Sequence, residues 1–207
     1  NTRRCWNMFQ LPESVESACN VGCCGIDGCV STLVGASLVN PDRLSYVLLG
    51  DLTFFYDLNS LGNHHIGTNL RVMLVNNGRG TEFRLGIHHC NVFGDDADKY
   101  MAAAGHFGNK SPLLVKHYAE DLGFHYLSAT TKEEFMTALS NFTNPQLSDH
   151  SMILEVFTDS KDESEALYLM SHIQSDAKGM VRSKLKDAVR NVAGEKGINA
   201  IKKILKK

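Results

Sequence analysis

Residues 45–83, SYVLLGDLTFFYDLNSLGNHHIGTNLRVMLVNNGRGTEF, contain two short apolar runs, each ended by a polar corner. The first run, residues 46–49, ends at Gly50-Asp51, and the second, residues 70–75, ends at Asn76-Asn77-Gly78. Both runs have the length and composition of strands, and the segment between them is long enough for a helical crossover. The stretch therefore predicts a βαβ unit with two parallel strands.

The two corners predict a ligand site, because the ends of parallel strands meet at the carboxyl edge of a sheet, where open α/β sheets bind ligands. Asp51 offers a carboxylate, Asn77 an amide oxygen, and the turn at Arg79 a backbone carbonyl. Such oxygen ligands suit Mg²⁺, and a diphosphate would complete the shell, helped by the amides at the start of the following helix. The alternative is that the corners are ordinary turns.

The spacing of the two corners resembles the signature of thiamine diphosphate enzymes, in which the Asp and the second Asn hold the Mg²⁺ that anchors the cofactor. Leu52 stands where that signature usually has Gly, and residues 56–61, YDLNSL, follow it. This combination resembles the 2-succinyl-5-enolpyruvyl-6-hydroxy-3-cyclohexene-1-carboxylate synthases of the menaquinone pathway more than acetolactate synthases or pyruvate decarboxylases. Residues 20–28, NVGCCGIDG, resemble that family's Asn-Arg-Gly-x-x-Gly-Ile-Asp-Gly. The resemblance covers roughly residues 1–172.

The resemblance implies site residues by position. Asp51, Asn77 and the carbonyl of Arg79 would bind Mg²⁺, and Ile26 would be the apolar wedge that bends the cofactor. Arg3, Arg4 and Val21 would lie at the substrate, but Val21 replaces a family arginine, which leaves the dicarboxylate specificity open. The expected cofactor-binding residues are Gly25, Ile26, Asp27, Gly50, Asp51, Leu52, Asn77, Gly80, Thr81, Glu82 and Phe83.

The resemblance also implies the reaction, in which a 2-oxo acid is decarboxylated and joined to an acceptor, as in a transferase or lyase. In that family 2-oxoglutarate is the donor and isochorismate the acceptor. The activating Glu lies on a separate N-terminal pyrimidine-binding domain, so we expect no catalytic residue in this chain and no activity from it alone. That domain would come from the same gene or a separate subunit, in an enzyme that is at least a homodimer.

Three other functions stay open at this point. The chain could come from another thiamine diphosphate-dependent decarboxylase or an acetolactate synthase-like enzyme. It could also be a binding module that keeps the Mg²⁺-diphosphate pocket without catalysis. A doubly wound interaction domain would use neither metal nor cofactor, and its corners would be plain turns.

Composition indicates an ordinary globular protein of 207 residues, with a formal charge of -2 and 43% hydrophobic residues. We expect no nucleic-acid partner from this charge. No apolar run approaches the roughly 20 residues of a membrane span, so no span is expected. Six cysteines in a chain of this length predict free thiols in a reducing compartment, and hence a cytoplasmic protein.

The remaining segments alternate between helix and strand patterns, which predicts a doubly wound, mostly parallel α/β sheet with helices on both faces, the thiamine diphosphate-binding fold. Residues 84–110 would be either a lid over the site or a plain connection. Strands are predicted at residues 15–19, 124–127 and 152–157, and helices at 30–38, 113–122 and from Thr130 or Thr131 through Phe142.

The C-terminal segment changes character. Residues 174–207 carry ten Lys or Arg and three acidic residues, with apolar residues at helical spacing. We therefore predict a basic amphipathic helical tail, residues 173–207, after a cofactor-binding domain at residues 1–172. Such a helix either packs on its own protein or extends into solvent, or it lies on an anionic membrane.

Overall fold

The computed structural model describes residues 4, 6, 8–19, 25–85, 88–108, 110–146 and 148–172. These residues form four strands and six α-helices, joined by short 3₁₀ segments. The strands are β1 Ser45–Gly50, β2 Leu70–Asn76, β3 His125–Ala129 and β4 Met152–Phe157. The helices are α1 Cys29–Val39, α2 Asp51–Asp57, α3 Ala97–Tyr100, α4 Leu114–Asp121, α5 Lys132–Phe142 and α6 Ser160–His172. The 3₁₀ segments are Leu58–Gly62, Thr81–Arg84, His89–Asp96 and Ala102–Ala104.

All four strands pair in parallel, in the order β1-β2-β4-β3. The predicted βαβ unit is confirmed, since β1 continues directly into α2 and β2 returns beside β1. Gly50 pairs with Val75 in the register of these two strands, so both strands end at the same level. Asp51 and Asn76 therefore follow at neighbouring corners of one sheet edge.

Helices cover both faces of the sheet, as the sequence predicts. On one face, Val72 and Ile153 pack in a buried cluster with Val30 of α1, Phe54 of α2 and Val115 of α4. A second cluster joins residues of α5 to residues of β4 on the opposite face, with Ala138, Phe142, Met152 and Leu154 as its buried members. Because β2 has packing on both sides, its sequence is almost continuously apolar rather than alternating.

Local signals in the sequence set the ends of two helices. Thr131 Oγ1 accepts the backbone N–H of Glu134, whose carboxylate in turn accepts the N–H of Thr131, so α5 begins with a capping box. Gly123, at φ 81°, provides the left-handed residue after α4.

The predicted strand at residues 15–19 is wrong, because the structure shows irregular chain there.

The chain divides into two units, residues 1–164 and residues 165–207. In the second unit the structure describes residues 165–172, which form the C-terminal part of α6. The predicted basic tail at residues 173–207 lies outside the described residues, and the predicted domain boundary stays a prediction. Within the described chain, no helix combines the length and the apolar character needed to cross a membrane.

Candidate functional site

The first corner is built by Asp51, which begins α2 directly after the last residue of β1. Its side chain is only 3% exposed. In the described part of the chain, one group is hydrogen-bonded to its carboxylate: His106 Nε2, at 2.8 Å from Oδ2. A carboxylate is therefore buried at the sheet edge, close to a single imidazole.

At the second corner, two neighbouring asparagines form hydrogen bonds with different partners. Asn76 is the last residue of β2 and is buried, and its Nδ2 donates to Glu155 Oε1 at 2.7 Å. Asn77 follows the strand, and its Nδ2 donates to Thr81 Oγ1 at 2.7 Å and to Glu163 Oε2 at 2.9 Å. Because both amide hydrogens of Asn77 have acceptors, the direction of its amide oxygen is fixed.

The amide oxygens of both asparagines hold the turn that follows β2. Asn76 Oδ1 accepts the N–H of Gly78 at 3.1 Å, and Asn77 Oδ1 accepts the N–H of Arg79 at 3.1 Å. An amide oxygen has two lone pairs, so each oxygen keeps one for a further ligand. These bonds turn the backbone sharply at Gly78, which has φ 78°.

Glu155 is a buried carboxyl group on β4, next to the asparagine corner. It is 1% exposed and accepts hydrogen bonds from Asn76 and from the Tyr126 hydroxyl, the latter at 2.7 Å from Oε2. Burial is the main cause that raises the pKa of Glu155, and the negative charge of Asp51 adds to it. Burial, followed by the bond to Glu155, raises the pKa of Tyr126.

The site is therefore electrostatically suited to a cation. Asp51 and Glu155 are both buried and close enough for each other's charge to matter. In the described ranges, neither carboxylate forms an ion pair with Lys or Arg. A divalent cation held by oxygen atoms would offset this buried negative charge.

Replacing Glu155 with glutamine should change the pH dependence of stability. Because the folded-state pKa of Glu155 lies above its ordinary value of 4.5, its stabilising contribution is complete below that value and is lost as pH rises through the folded pKa. Glutamine is neutral at every pH. As pH rises from 4.5 to neutrality, the free energy of unfolding of Glu155→Gln should therefore fall less than that of the wild type. Urea denaturation across this range measures the difference, and parallel curves for the two proteins would contradict it.

Gly80 brings the turn after β2 into close contact with the segment before His106. Its N–H donates to the carbonyl of Ala104 at 3.2 Å. A Cβ at this position would lie 2.2 Å from the carbonyl oxygen of Ala103. Glycine is therefore required by close backbone approach rather than by an unusual dihedral angle, since its φ is -76°.

Gly80→Ala should destabilise the chain by about 1–3 kcal/mol, because backbone has to move to admit the methyl group. Gly35→Ala is the matched control, since a Cβ there has open space and the residue lies inside α1. That control should stabilise the protein by about 0.5–1 kcal/mol. Urea denaturation measures the free energy of unfolding of both variants. A Gly80→Ala variant as stable as the wild type would show that the two segments are not in close contact.

The predicted cofactor residues before α1 lie in a loop whose following helix contacts the last residue of α2. Gly25, Ile26 and Asp27 lie in the exposed loop that leads into α1, and Ile26 is 38% exposed. The first turn of α1 is fixed to the end of α2, because Asp57 accepts both the N–H of Ser31, at 2.7 Å, and its hydroxyl. This contact holds the start of α1 against the C-terminal end of α2.

The other predicted site residues follow β2 or lie at the start of the chain. Thr81, Glu82 and Phe83 form a 3₁₀ turn, and Thr81 bonds Asn77 as described. Arg4 donates to Glu82 at 2.6 Å, so a predicted substrate residue meets a predicted cofactor residue. Gly50 and Leu52 flank Asp51, whereas Arg3 and Val21 lie outside the described residues. The predicted assignments of all these residues to metal, cofactor and substrate stay predictions.

Sequence reasoning missed four residues that form this site: His106, Tyr126, Glu155 and Glu163. Glu155 carries a usable signal, because a single carboxyl group in the apolar run MILEVF is costly to bury without a purpose. His106 and Glu163 carry none, since they reach the corners across 55 and 86 residues of chain. The described part of segment 84–110 contains His106, so this segment borders the site.

A cavity with a volume of about 550 Å³ lies elsewhere. It lies between α1 and the 3₁₀ segment Leu58–Gly62, and its lining includes Ser31, Asn59 and His65. Neither Asp51 nor Asn77 lines it. The corner residues therefore lie outside the lining of this cavity.

Comparisons with known proteins find several relatives that share one name. The chain is 34% identical over 160 residues to the 2-succinyl-5-enolpyruvyl-6-hydroxy-3-cyclohexene-1-carboxylate synthase of Bacteroides fragilis, a match that covers 77% of this chain and 27% of that protein. The synthase of the same name from Phocaeicola vulgatus is 35% identical over 170 residues, covering 81% and 28%. That from Christiangramia forsetii is 34% identical over 167 residues, covering 81% and 27%. The chain thus spans about a quarter of the length of these curated relatives. No protein-family model matches it.

Proposed function

Since this chain is a sequence relative of the 2-succinyl-5-enolpyruvyl-6-hydroxy-3-cyclohexene-1-carboxylate synthases over 77% of its length or more, we propose that it is the part of such an enzyme that binds thiamine diphosphate through Mg²⁺. One observation carries the proposal: Asp51 and the Asn76-Asn77 corner lie at one level on the carboxyl edge of the sheet. They are also the residues that match the thiamine diphosphate signature.

The residues at this edge fit a hard cation. Asp51 supplies a buried carboxylate, Asn77 supplies an amide oxygen in a fixed direction, and Arg79 supplies a backbone carbonyl. Mg²⁺ takes oxygen ligands and keeps several positions for water or substrate phosphate. We therefore assign these three residues to the metal, and the remaining positions to the diphosphate of the cofactor and to water.

The cofactor would be held by the loops around the same edge. We assign Ile26, with Gly25 and Asp27, to its central bend, because the exposed side chain of Ile26 offers an apolar surface in the loop before α1. The other assigned residues are Gly50, Leu52, Gly80, Thr81, Glu82 and Phe83. Arg4 would reach substrate after its ion pair with Glu82 opens, and Arg3 and Val21 complete the proposed substrate residues.

Bound thiamine diphosphate supplies the nucleophilic carbon and the electron sink needed to decarboxylate a 2-oxo acid and transfer the remaining carbon unit. The residues of this chain anchor and orient the cofactor. The proposed enzyme is a cytoplasmic transferase or lyase and at least a homodimer. A pyrimidine-binding domain, in the same gene product or in a separate subunit, would supply the activating Glu, so that this chain alone is inactive.

Calorimetric titration of thiamine diphosphate into the complete gene product tests the proposal, with Mg²⁺ and with EDTA. We expect binding that requires Mg²⁺, followed by CO₂ release when 2-oxoglutarate and other 2-oxo acids are added. Binding without CO₂ release from any 2-oxo acid would indicate a non-catalytic binding module. A folded protein that binds no cofactor in the presence of Mg²⁺ would overturn the proposal.

A further inference from the structure

The proton of His106 can be located from its two hydrogen bonds. Nδ1 lies 3.1 Å from the backbone nitrogen of Gly108, and because a backbone N–H can only donate, Nδ1 is the acceptor. The imidazole is therefore neutral with its proton on Nε2. That proton is donated to Asp51 Oδ2 at 2.8 Å.

The imidazole is also fixed by packing. Its side chain is 10% exposed, and its ring lies 5.0 Å from the ring of Phe55, measured between centroids. The backbone at Gly108 also lies close to α2, because a Cβ at that position would lie 2.6 Å from the Phe55 ring. Burial and the Phe55 ring therefore restrict rotation of the His106 side chain away from Asp51.

We propose that His106 is the positioning residue of the metal site, which fixes the orientation of the Asp51 carboxylate. Since Nε2–H holds Oδ2, the carboxylate of Asp51 is fixed in one orientation, and we assign Oδ1, which accepts no hydrogen bond in the described part of the chain, to the cation. This inference rests on the proposed function, because it takes Asp51 as a metal ligand. It adds a residue that no part of the thiamine diphosphate signature contains.

The arrangement also couples residues 98–106 to the metal site. Three contacts join these residues to Asp51 and to the turn after β2: Ala104 with Gly80, Asp98 with Arg84 at 2.8 Å, and His106 with Asp51. Ligands to a metal are commonly oriented by a hydrogen bond from a second residue, and losing that residue weakens metal binding by about 10- to 100-fold. We expect an effect of this size at His106.

Mn²⁺ binding, followed by electron paramagnetic resonance with thiamine diphosphate present, tests the proposal in the full chain. His106→Phe keeps an aromatic ring but has no donor, so we expect the Mn²⁺ affinity to fall by about 10- to 100-fold. His106→Gln, whose amide can donate to Asp51, should recover most of the affinity. His117→Phe, at an exposed histidine on α4, is the control and should bind as the wild type does.

A second readout does not need the metal. Long-range ¹H–¹⁵N spectra of the metal-free chain should show the His106 proton on Nε2, with the signal identified by its absence in His106→Gln. Equal Mn²⁺ affinity in His106→Phe and the wild type, or a proton on Nδ1, would overturn the inference. A wild-type chain that binds no Mn²⁺ but shows the proton on Nε2 would overturn the proposed function, while confirming that His106 holds Asp51.

Discussion

Replacing Asp51 with asparagine is expected to abolish Mg²⁺-dependent binding of thiamine diphosphate. The Nε2–H of His106 requires an acceptor, so the amide oxygen of the new side chain would turn toward His106. Its NH₂ group would then face the metal, and an amide nitrogen that carries two hydrogens has no lone pair to offer a cation. The variant therefore loses both the charge and the ligand atom.

We expect the affinity to fall by more than about 100-fold, because losing an outer hydrogen-bond partner alone costs about 10- to 100-fold. Calorimetry with and without Mg²⁺ measures the change. Asp42→Asn is the control, since Asp42 is an exposed acid in the turn between α1 and β1. Binding by Asp51→Asn within threefold of the wild type, a limit of about 0.7 kcal/mol, would remove Asp51 from the metal site.

The largest loss of stability is expected from Phe54→Ala. Phe54 lies three residues after Asp51 on α2, is 1% exposed, and packs in the cluster formed by α1, α4 and the central strands. Removing a buried phenyl ring costs about 3–5 kcal/mol, from lost burial and the cavity left behind. The free energy of unfolding of a domain is typically about 5–15 kcal/mol, so this loss is a large share of it.

Tyr56→Ala is the matched control on the same helix, because Tyr56 is 55% exposed. It should change the free energy of unfolding by about 0.5 kcal/mol or less. Urea denaturation followed by circular dichroism compares both variants with the wild type. Equal losses in the two variants would mean that α2 does not bury Phe54, and the position assigned to Asp51 would then also be in doubt.

Local patterns in the sequence were sufficient for most of the sheet. The strand at residues 152–157 has the predicted bounds, and β1 and β2 differ from prediction by a residue at their ends. Short apolar runs between polar corners, a capping box at Thr131 and a left-handed Gly123 are all signals within a few residues. The predicted strand at residues 15–19 failed because only Val15 in this segment strongly favours strands, whereas Glu16 and Ala18 are of types depleted in them.

The site was predictable at its corners but not around them. Asp51 and Asn77 follow strands, so the sequence places them at the carboxyl edge. The sequence does not assign separate partners to Asn76 and Asn77, because the alternation of side chains along β2 decides which of them meets Glu155. His106 and Glu163 approach through tertiary contacts between distant segments, which no local pattern encodes.

The position of β2 between β1 and β4 has a consequence for synthesis. Its pairing with β4 begins near the bond from the N–H of Leu70 to Ser151 Oγ, which joins residues 81 positions apart. A ribosome adds about 5–20 residues each second, so β2 leaves it roughly 4–16 s before β4. Throughout that interval one edge of an almost entirely apolar strand has no partner, which makes the nascent chain a target for chaperones and for misassembly with other copies. Translation rate and chaperone supply should therefore influence the yield of this protein.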